Sequence, residues 1–280
     1  MATRGISLHI GLNGVNPGHY SGWDGSLTAC EFDARDMQAI AREQGFRSQL
    51  LLTRKATYAN VTKVIRGAAK VLTRGDILFL SYSGHGGQVK DLNGDEKEDR
   101  LDETWVLYDR EMIDDELYAL WSEFEKGVRI LMLSDSCHSG TVARQRWYGR
   151  MSERGALGEP AGDGLRMKSI PAHVQARTYR KHRRFYERIQ RSLPRGDRVP
   201  IGASVLLLAG CQENQLSADG DRNGLFTDVL RQVWSNGTFR GSYRSFHRAI
   251  ARRMPPWQTP NFFRTGDVTA HFEQERPFTV

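Results

Sequence analysis

Apolar residues along the chain fall into two alternating patterns, short continuous runs and longer stretches spaced three and four apart. Ile6–Leu12 is a run closed by Asn13-Gly14, which suits a strand followed by a turn. Ala29–Gln44 places Phe32, Met37, Ile40 and Ala41 near helical spacing and stops at Gly45, a residue suited to ending a helix. Arg47–Leu52 reads as a second strand, and Tyr58–Leu72 as a helix with Val61, Val64, Ile65, Ala68 and Leu72 on one face. Asp76–Gly84 and Val128–Ser134 are further strands, with a shorter one at Thr104–Tyr108 and a helix over Asp114–Phe124 between them. Ala203–Ala209 follows as a strand, then helices near Gly224–Trp234 and Tyr243–Arg253, and a short strand near Asn261–Phe263. Strands thus alternate with helices, and the main strands are apolar almost throughout. That is the pattern of a mostly parallel sheet covered on both faces, so the predicted class is α/β. No repeat of solenoid length is present.

Composition narrows this picture. A chain of 280 residues makes one large domain or two small ones. No run approaches the ~18 apolar residues of a membrane helix, and the N-terminus has no stretch of signal-peptide length, so the expected location is cytoplasmic with no membrane partner. Cys30, Cys137 and Cys211 are far apart and odd in number, which supplies neither a disulfide framework nor a CxxC pair. The formal charge of +7 would suit an acidic partner. It is concentrated, however: Arg144–Arg198 carries fifteen Lys/Arg against five Asp/Glu, so the rest of the chain is slightly acidic. The first part of this segment is Gly-rich and reads as a loop; Val174–Leu193 reads as one helix with Val174, Phe185, Ile189 and Leu193 as a narrow apolar stripe. Asp91–Glu103 is the counterpart, with seven acids and two bases.

Two strand ends carry candidate chemistry. One runs Tyr82-Ser83-Gly84-His85-Gly86-Gly87, the other Ser134-Asp135-Ser136-Cys137-His138-Ser139-Gly140. Sites in open parallel sheets form beyond the carboxyl ends of strands, so these two ends can bring His85 and Cys137 together. A free thiol has a pKa near ~8.5; a nearby imidazole can take its proton and later protonate a leaving amine. Glycines on either side of His85 let a carbonyl approach the amides of Gly86 and Cys137, which could form an oxyanion hole. Cys30 and Cys211 read as small core residues, and His138, adjacent to Cys137, as structural.

These blocks resemble the caspase-like cysteine peptidases (clan CD, peptidase family C14) and in detail the metacaspase branch. Leu27-x-Ala29-Cys30-x-x-Asp33-Ala34 and the acidic loop after His85 extend the resemblance over nearly the whole chain. It implies a caspase-like α/β/α sandwich with a mostly parallel six-stranded core sheet flanked by helices. It also implies a single peptidase domain over 1–280: a large-subunit-like half to about 143, a basic linker over about 144–198, and a small-subunit-like half from about 199. By the same resemblance His85 and Cys137 are the catalytic dyad. Asp33, Ser83 and Asp135 are similar to the pocket residues that select Arg or Lys before the cleaved bond, which agrees with the attraction of paired carboxylates for a cation. Asp102, Asp114 and Asp115 fall at calcium-ligand positions, although Arg144, a cation, stands where another ligand is expected; calcium activation and a solvated acidic loop both remain open. Asp91, Asn93 and Asp95 mimic an EF-hand start, but Glu96 replaces its glycine and Asp102 its last Glu. No cofactor is needed for the chemistry.

An Arg/Lys-directed site would find cleavage points in the linker itself, at Arg144, Arg146, Arg150, Arg154 or Lys168. Self-processing is therefore expected there. A solvated arginine face packed on the acidic loop is the second reading, and nucleic-acid binding through the Arg-rich helix, with Tyr179, Phe185 and Tyr186 stacking, is the least favoured. The expected protein is a monomer that cuts protein substrates after Arg or Lys, with any regulator a separate molecule; stress, cell-death and defence signalling are what the resemblance implies at family level. The alternative is a catalytically inactive module that binds a protein or nucleic-acid partner through its basic helix.

Overall fold

The computed structural model describes residues 3–92, 94, 101–136, 166–193, 199–211, 217–267 and 270–280. Cys137, Arg144, Arg146, Arg150 and Arg154 lie outside the described residues, as does His138.

In chain order the strands are β1 (Gly5–Gly11), β2 (Arg47–Leu52), β3 (Ile77–Ser83), β4 (Gly86–Lys90), β5 (Leu101–Val106), β6 (Glu111–Ile113), β7 (Arg129–Asp135), β8 (Arg166–Met167), β9 (Ser204–Ala209), β10 (Ala218–Asp219) and β11 (Asn261–Gly266). The helices are α1 (Cys30–Glu43), α2 (Tyr58–Ala69), α3 (Asp114–Trp121), α4 (Ala172–Lys181), α5 (Arg183–Ser192), α6 (Leu225–Trp234), α7 (Tyr243–Ala251) and α8 (Ala270–Gln274). Among the described residues the main sheet has six strands in the order β11-β9-β7-β3-β1-β2, with β11 antiparallel to β9 and the other pairs parallel.

Side chains alternate across a strand, so each apolar run feeds two cores. Leu8, Ile10, Leu78, Leu80, Ile130, Met132 and Val205 pack under α2 and α3 through Val61, Ile65, Leu117 and Trp121. Ile77, Phe79, Leu131, Leu133, Leu206 and Leu208 face the other way, against Met37 and Ile40 of α1, Phe226 and Leu230 of α6, and Phe246 of α7. His9 is the one polar interruption worth noting in β1: it bonds Ser81 Oγ at 2.8 Å, and burial, aided by Arg42, pushes its pKa down to about 3, so it sits in the core as neutral imidazole.

β4, β5 and β6 form a small antiparallel sheet that begins one residue after His85. The basic segment docks on it. The predicted single helix is broken: α4 ends and α5 begins around His182, whose φ of −110° and ψ of 21° leave the helical region. Its ring stacks on His19 at 4.2 Å. The break also shifts the buried face. Tyr186, fully buried against Val89 and Ile113, takes the place expected for Phe185, which is 43% exposed. Gln190 adds bonds to Lys90 O (2.6 Å) and Asp102 Oδ2 (2.8 Å), so the arm is packed on the β4–β5 hairpin while its arginines face out.

Candidate active site

The chain reverses its direction of travel across the sheet between β1 and β3, which is where an open α/β sheet leaves a crevice at its strand ends. β3 ends at Ser83 and β7 at Asp135, and the parallel register sets these two residues side by side. α1 begins just above, so that Asp33 in its first turn faces them.

The structure brings Asp33, Ser83 and Asp135 together around one side chain, that of Lys168. Lys168 Nζ lies 2.9 Å from Asp33 Oδ2, 2.9 Å from Asp135 Oδ2 and 3.0 Å from Ser83 Oγ. Three acceptors for the three N–H bonds of an ammonium saturate it. Its side chain has no exposed surface. Burial alone would lower its pKa, but Asp135 and Asp33 more than reverse this and hold it well above the usual lysine value. The carboxylates are fixed from behind. Asp33 accepts from Ser83 Oγ (2.7 Å), Asn223 Nδ2 (3.0 Å) and Gly224 N (3.0 Å), and Asp135 from Ser217 Oγ (2.6 Å) and Thr227 Oγ1 (2.9 Å). A Cβ on Gly224 would collide with Lys168 Nζ and Asp135 Oδ2, so the slot exists because that residue is glycine. Ser217, Asn223, Gly224 and Thr227 were not foreseen. Asn223-Gly224 reads in the sequence only as a turn before a helix, and nothing local says that its amides reach Asp33.

His85 follows two residues after Ser83. Its Nε2 lies 3.0 Å from Gly25 O, and a carbonyl can only accept, so the neutral ring carries its proton there and offers Nδ1 as the basic nitrogen. Trp23 lies against the ring at 4.7 Å, and Tyr20 ties the same loop down through its hydroxyl to Leu107 O at 2.7 Å. His85 O accepts from Val106 N (3.0 Å) and Tyr82 OH (2.7 Å), which fixes the backbone on which the ring hangs. The described chain on the neighbouring strand runs to Ser136, whose carbonyl accepts from Cys211 Sγ at 3.2 Å. Cys211 and Cys30 are both buried, and burial pushes the Cys30 thiol far up, so it stays a thiol.

The backbone around Lys168 is as ordered as its side chain. Arg166 and Met167 pair antiparallel with Asp219 and Ala218, and Lys168 N donates to Ser217 O at 3.1 Å. Lys168 O accepts from Gly86 N at 3.0 Å, and Ile170 N donates to Gly86 O at 2.9 Å. Gly86 is the expected oxyanion donor, and the carbonyl it holds is that of the residue whose ammonium fills the acidic slot.

Among the described residues no group of three His, Cys, Asp or Glu could hold a metal ion; Asp102 Oδ2 accepts from Gln190 Nε2 at 2.8 Å. Asp102 lies in β5, and Asp114 and Asp115 open α3.

Comparison with known proteins agrees with the fold. The family model of the caspase domain, peptidase C14, matches residues 15–271. Metacaspase-1 of Kluyveromyces lactis is 30% identical over 257 residues, covering 81% of this chain and 57% of that protein. Metacaspase-1 of Mycosarcoma maydis is 31% identical over 251 residues, covering 79% of this chain and 59% of that protein. The chain thus spans somewhat under three fifths of these relatives. A crystal structure of a Geobacter sulfurreducens protein is 53% identical with a TM-score of 0.88, covering 99% of both chains. Caspase-1 of Spodoptera frugiperda shares the fold at 13% identity and a TM-score of 0.56, over 95% of this chain and 88% of that one.

Proposed function

The chain belongs to the caspase-domain family of cysteine peptidases, with metacaspases among its relatives, and on that premise we propose that it is an endopeptidase that cuts after Lys or Arg and first cuts itself after Lys168. One observation carries the reading: Lys168 has its ammonium between Asp33 and Asp135 while its carbonyl accepts from Gly86 N at 3.0 Å. This is the pose of a residue before a bond about to be cut.

In this mechanism His85 Nδ1 takes the Cys137 proton and the thiolate adds to the Lys168 carbonyl carbon. Gly86 and Cys137 N–H groups hold the oxyanion, each such donor contributing roughly 10²–10³ in rate. The carbon–nitrogen bond to Ser169 breaks, and His85 returns the proton to the departing amine. Water then hydrolyses the thioester, leaving a Lys168 carboxylate and the free thiol. Until that cut, Lys168 occupies the slot that a substrate lysine or arginine needs, so the uncut chain is latent. Two carboxylates in a desolvated slot penalise an acidic side chain by several kcal/mol, roughly 10³-fold in rate or more.

The test is hydrolysis of fluorogenic peptides ending in Arg, Lys or Asp, with and without calcium, alongside mass spectrometry of the chain. Arg and Lys peptides are cleaved, Asp peptides are not, Cys137→Ala abolishes both peptide and self-cleavage, and a new N-terminus appears at Ser169. No cleavage of Arg or Lys peptides under any condition overturns the enzyme reading. Full activity from a chain that stays intact overturns the processing step alone.

A further inference from the structure

We propose that the groove beyond the cut bond carries a second specificity pocket, for a compact aliphatic side chain two residues after the cleavage point. The inference rests on Lys168–Ser169 being held as substrate, and it adds a requirement on the leaving side of the bond.

The chain after Lys168 stays on track. Ser169 forms a parallel bridge with Gly86, and the bonds Gly86 N to Lys168 O (3.0 Å) and Ile170 N to Gly86 O (2.9 Å) bracket it. A segment pinned by backbone bonds on both sides of Ser169 delivers the next side chain to a fixed place. That side chain is Ile170, 3% exposed, in a cluster with Val15, Tyr20, Val106 and Val174, with Trp23 against it.

The pocket belongs to the catalytic body. Val15, Tyr20 and Trp23 sit on the loop that brings Gly25 O to His85, and Val106 donates its N–H to His85 O. Val174 alone comes from the basic arm. Gly87 makes the room, since a Cβ there would lie 2.9 Å from Ile170 Cγ2. Apolar walls give a carboxylate no partner for the hydration it loses, and a glycine leaves the space unfilled. The site therefore favours Ile or Val, and the substrate class becomes proteins with a basic residue, any residue, then a compact aliphatic one.

The test uses the full chain and internally quenched peptides of sequence Arg-Met-Lys-Ser-Xaa-Pro-Ala, with Xaa as Ile, Val, Gly or Asp. For Ile and Val, kcat/KM exceeds that for Gly and Asp by about 10-fold or more. In Val15→Ser the ratio of Ile to Gly falls toward one; the ratio is internal to each preparation, and the wild-type series stands without the variant. Equal rates for Ile and Gly, in a chain that still cleaves Lys-coumarin substrates with no residue beyond the cut, overturn this pocket and leave the peptidase reading intact. A chain that cleaves neither kind of substrate overturns both.

Discussion

Lys168 compensates two buried carboxylates, so its removal exposes what they cost. Lys168→Ala leaves Asp33 and Asp135 as adjacent buried charges, and breaking a buried pair by deleting one partner costs about 3–5 kcal/mol. The expected result, in the Cys137→Ala background where no self-cutting intervenes, is a lower melting temperature for Lys168→Ala and a smaller drop for Lys168→Arg. Glu111 makes the opposite case. It has no exposed surface, and burial raises its carboxyl from 4.5 to about 7 although Thr104 Oγ1 and Gln175 Nε2 bond to it. A folded pKa above the unfolded one means that the folded chain holds the proton more tightly across that window. Glu111 therefore weakens folding progressively as pH rises from about 4.5 to 7, and fully above it. Glu111→Gln is expected to be more stable than the parent chain by roughly 2–3 kcal/mol at pH 8, with the gap closing toward pH 4. Parallel melting curves at both pH values would rule out a burial penalty. The pocket acids were legible as residues because strand ends and a helix start carry them in recognisable blocks. Glu111 was not, since a Glu in a three-residue strand has no signature of burial.

At the scale of elements, the arm α4–α5 separates what periodicity reveals from what it misses. A stripe through Val174 and Ile189 was visible, but a single unbroken helix put Phe185 on the buried side. The bend at His182 rotates the second half so that Tyr186 enters instead, where its hydroxyl accepts from Glu111 N at 3.1 Å and pairs with His19 Nε2 at 2.8 Å. Neither partner lies within 70 residues of it in sequence, so no local pattern could have announced them. Tyr186 is also the arm's largest fully buried side chain outside the acidic slot, and truncating such an aromatic costs about 3–5 kcal/mol. In Cys137→Ala protein, the added Tyr186→Ala change is expected to raise hydrogen exchange across 172–192 while β1, β3 and β7 stay protected. Exchange rising equally in those strands would mean that the arm and the sheet unfold as one unit.

For the whole molecule, the excess of positive charge changes meaning once it is placed. A +7 chain suggests a polyanion partner, yet the lysine that matters most is out of solvent altogether, and the arm's remaining cations line its outer face. The layered sheet was readable because apolar runs and helical stripes alternate along the chain. The closure of the linker onto its own active site was not, because it depends on contacts between Lys168 and residues 135, 85 and 33 positions away. If the chain cuts itself after Lys168, as proposed, that closure sets the kinetics of the cut. A bond already held by Gly86, with its lysine already in the slot, needs no encounter with a second molecule, so the proposed first cut is expected to be intramolecular. Its half-time is expected to stay constant over a hundredfold dilution of freshly activated protein. Cys137→Ala protein, its Lys168 sheltered in an inert site, is expected to be cut after Lys168 far more slowly when mixed with active enzyme than the active chain cuts itself. A half-time that lengthens in proportion to dilution would mean that one molecule cuts another, and that Lys168 must leave its own pocket before the bond is broken.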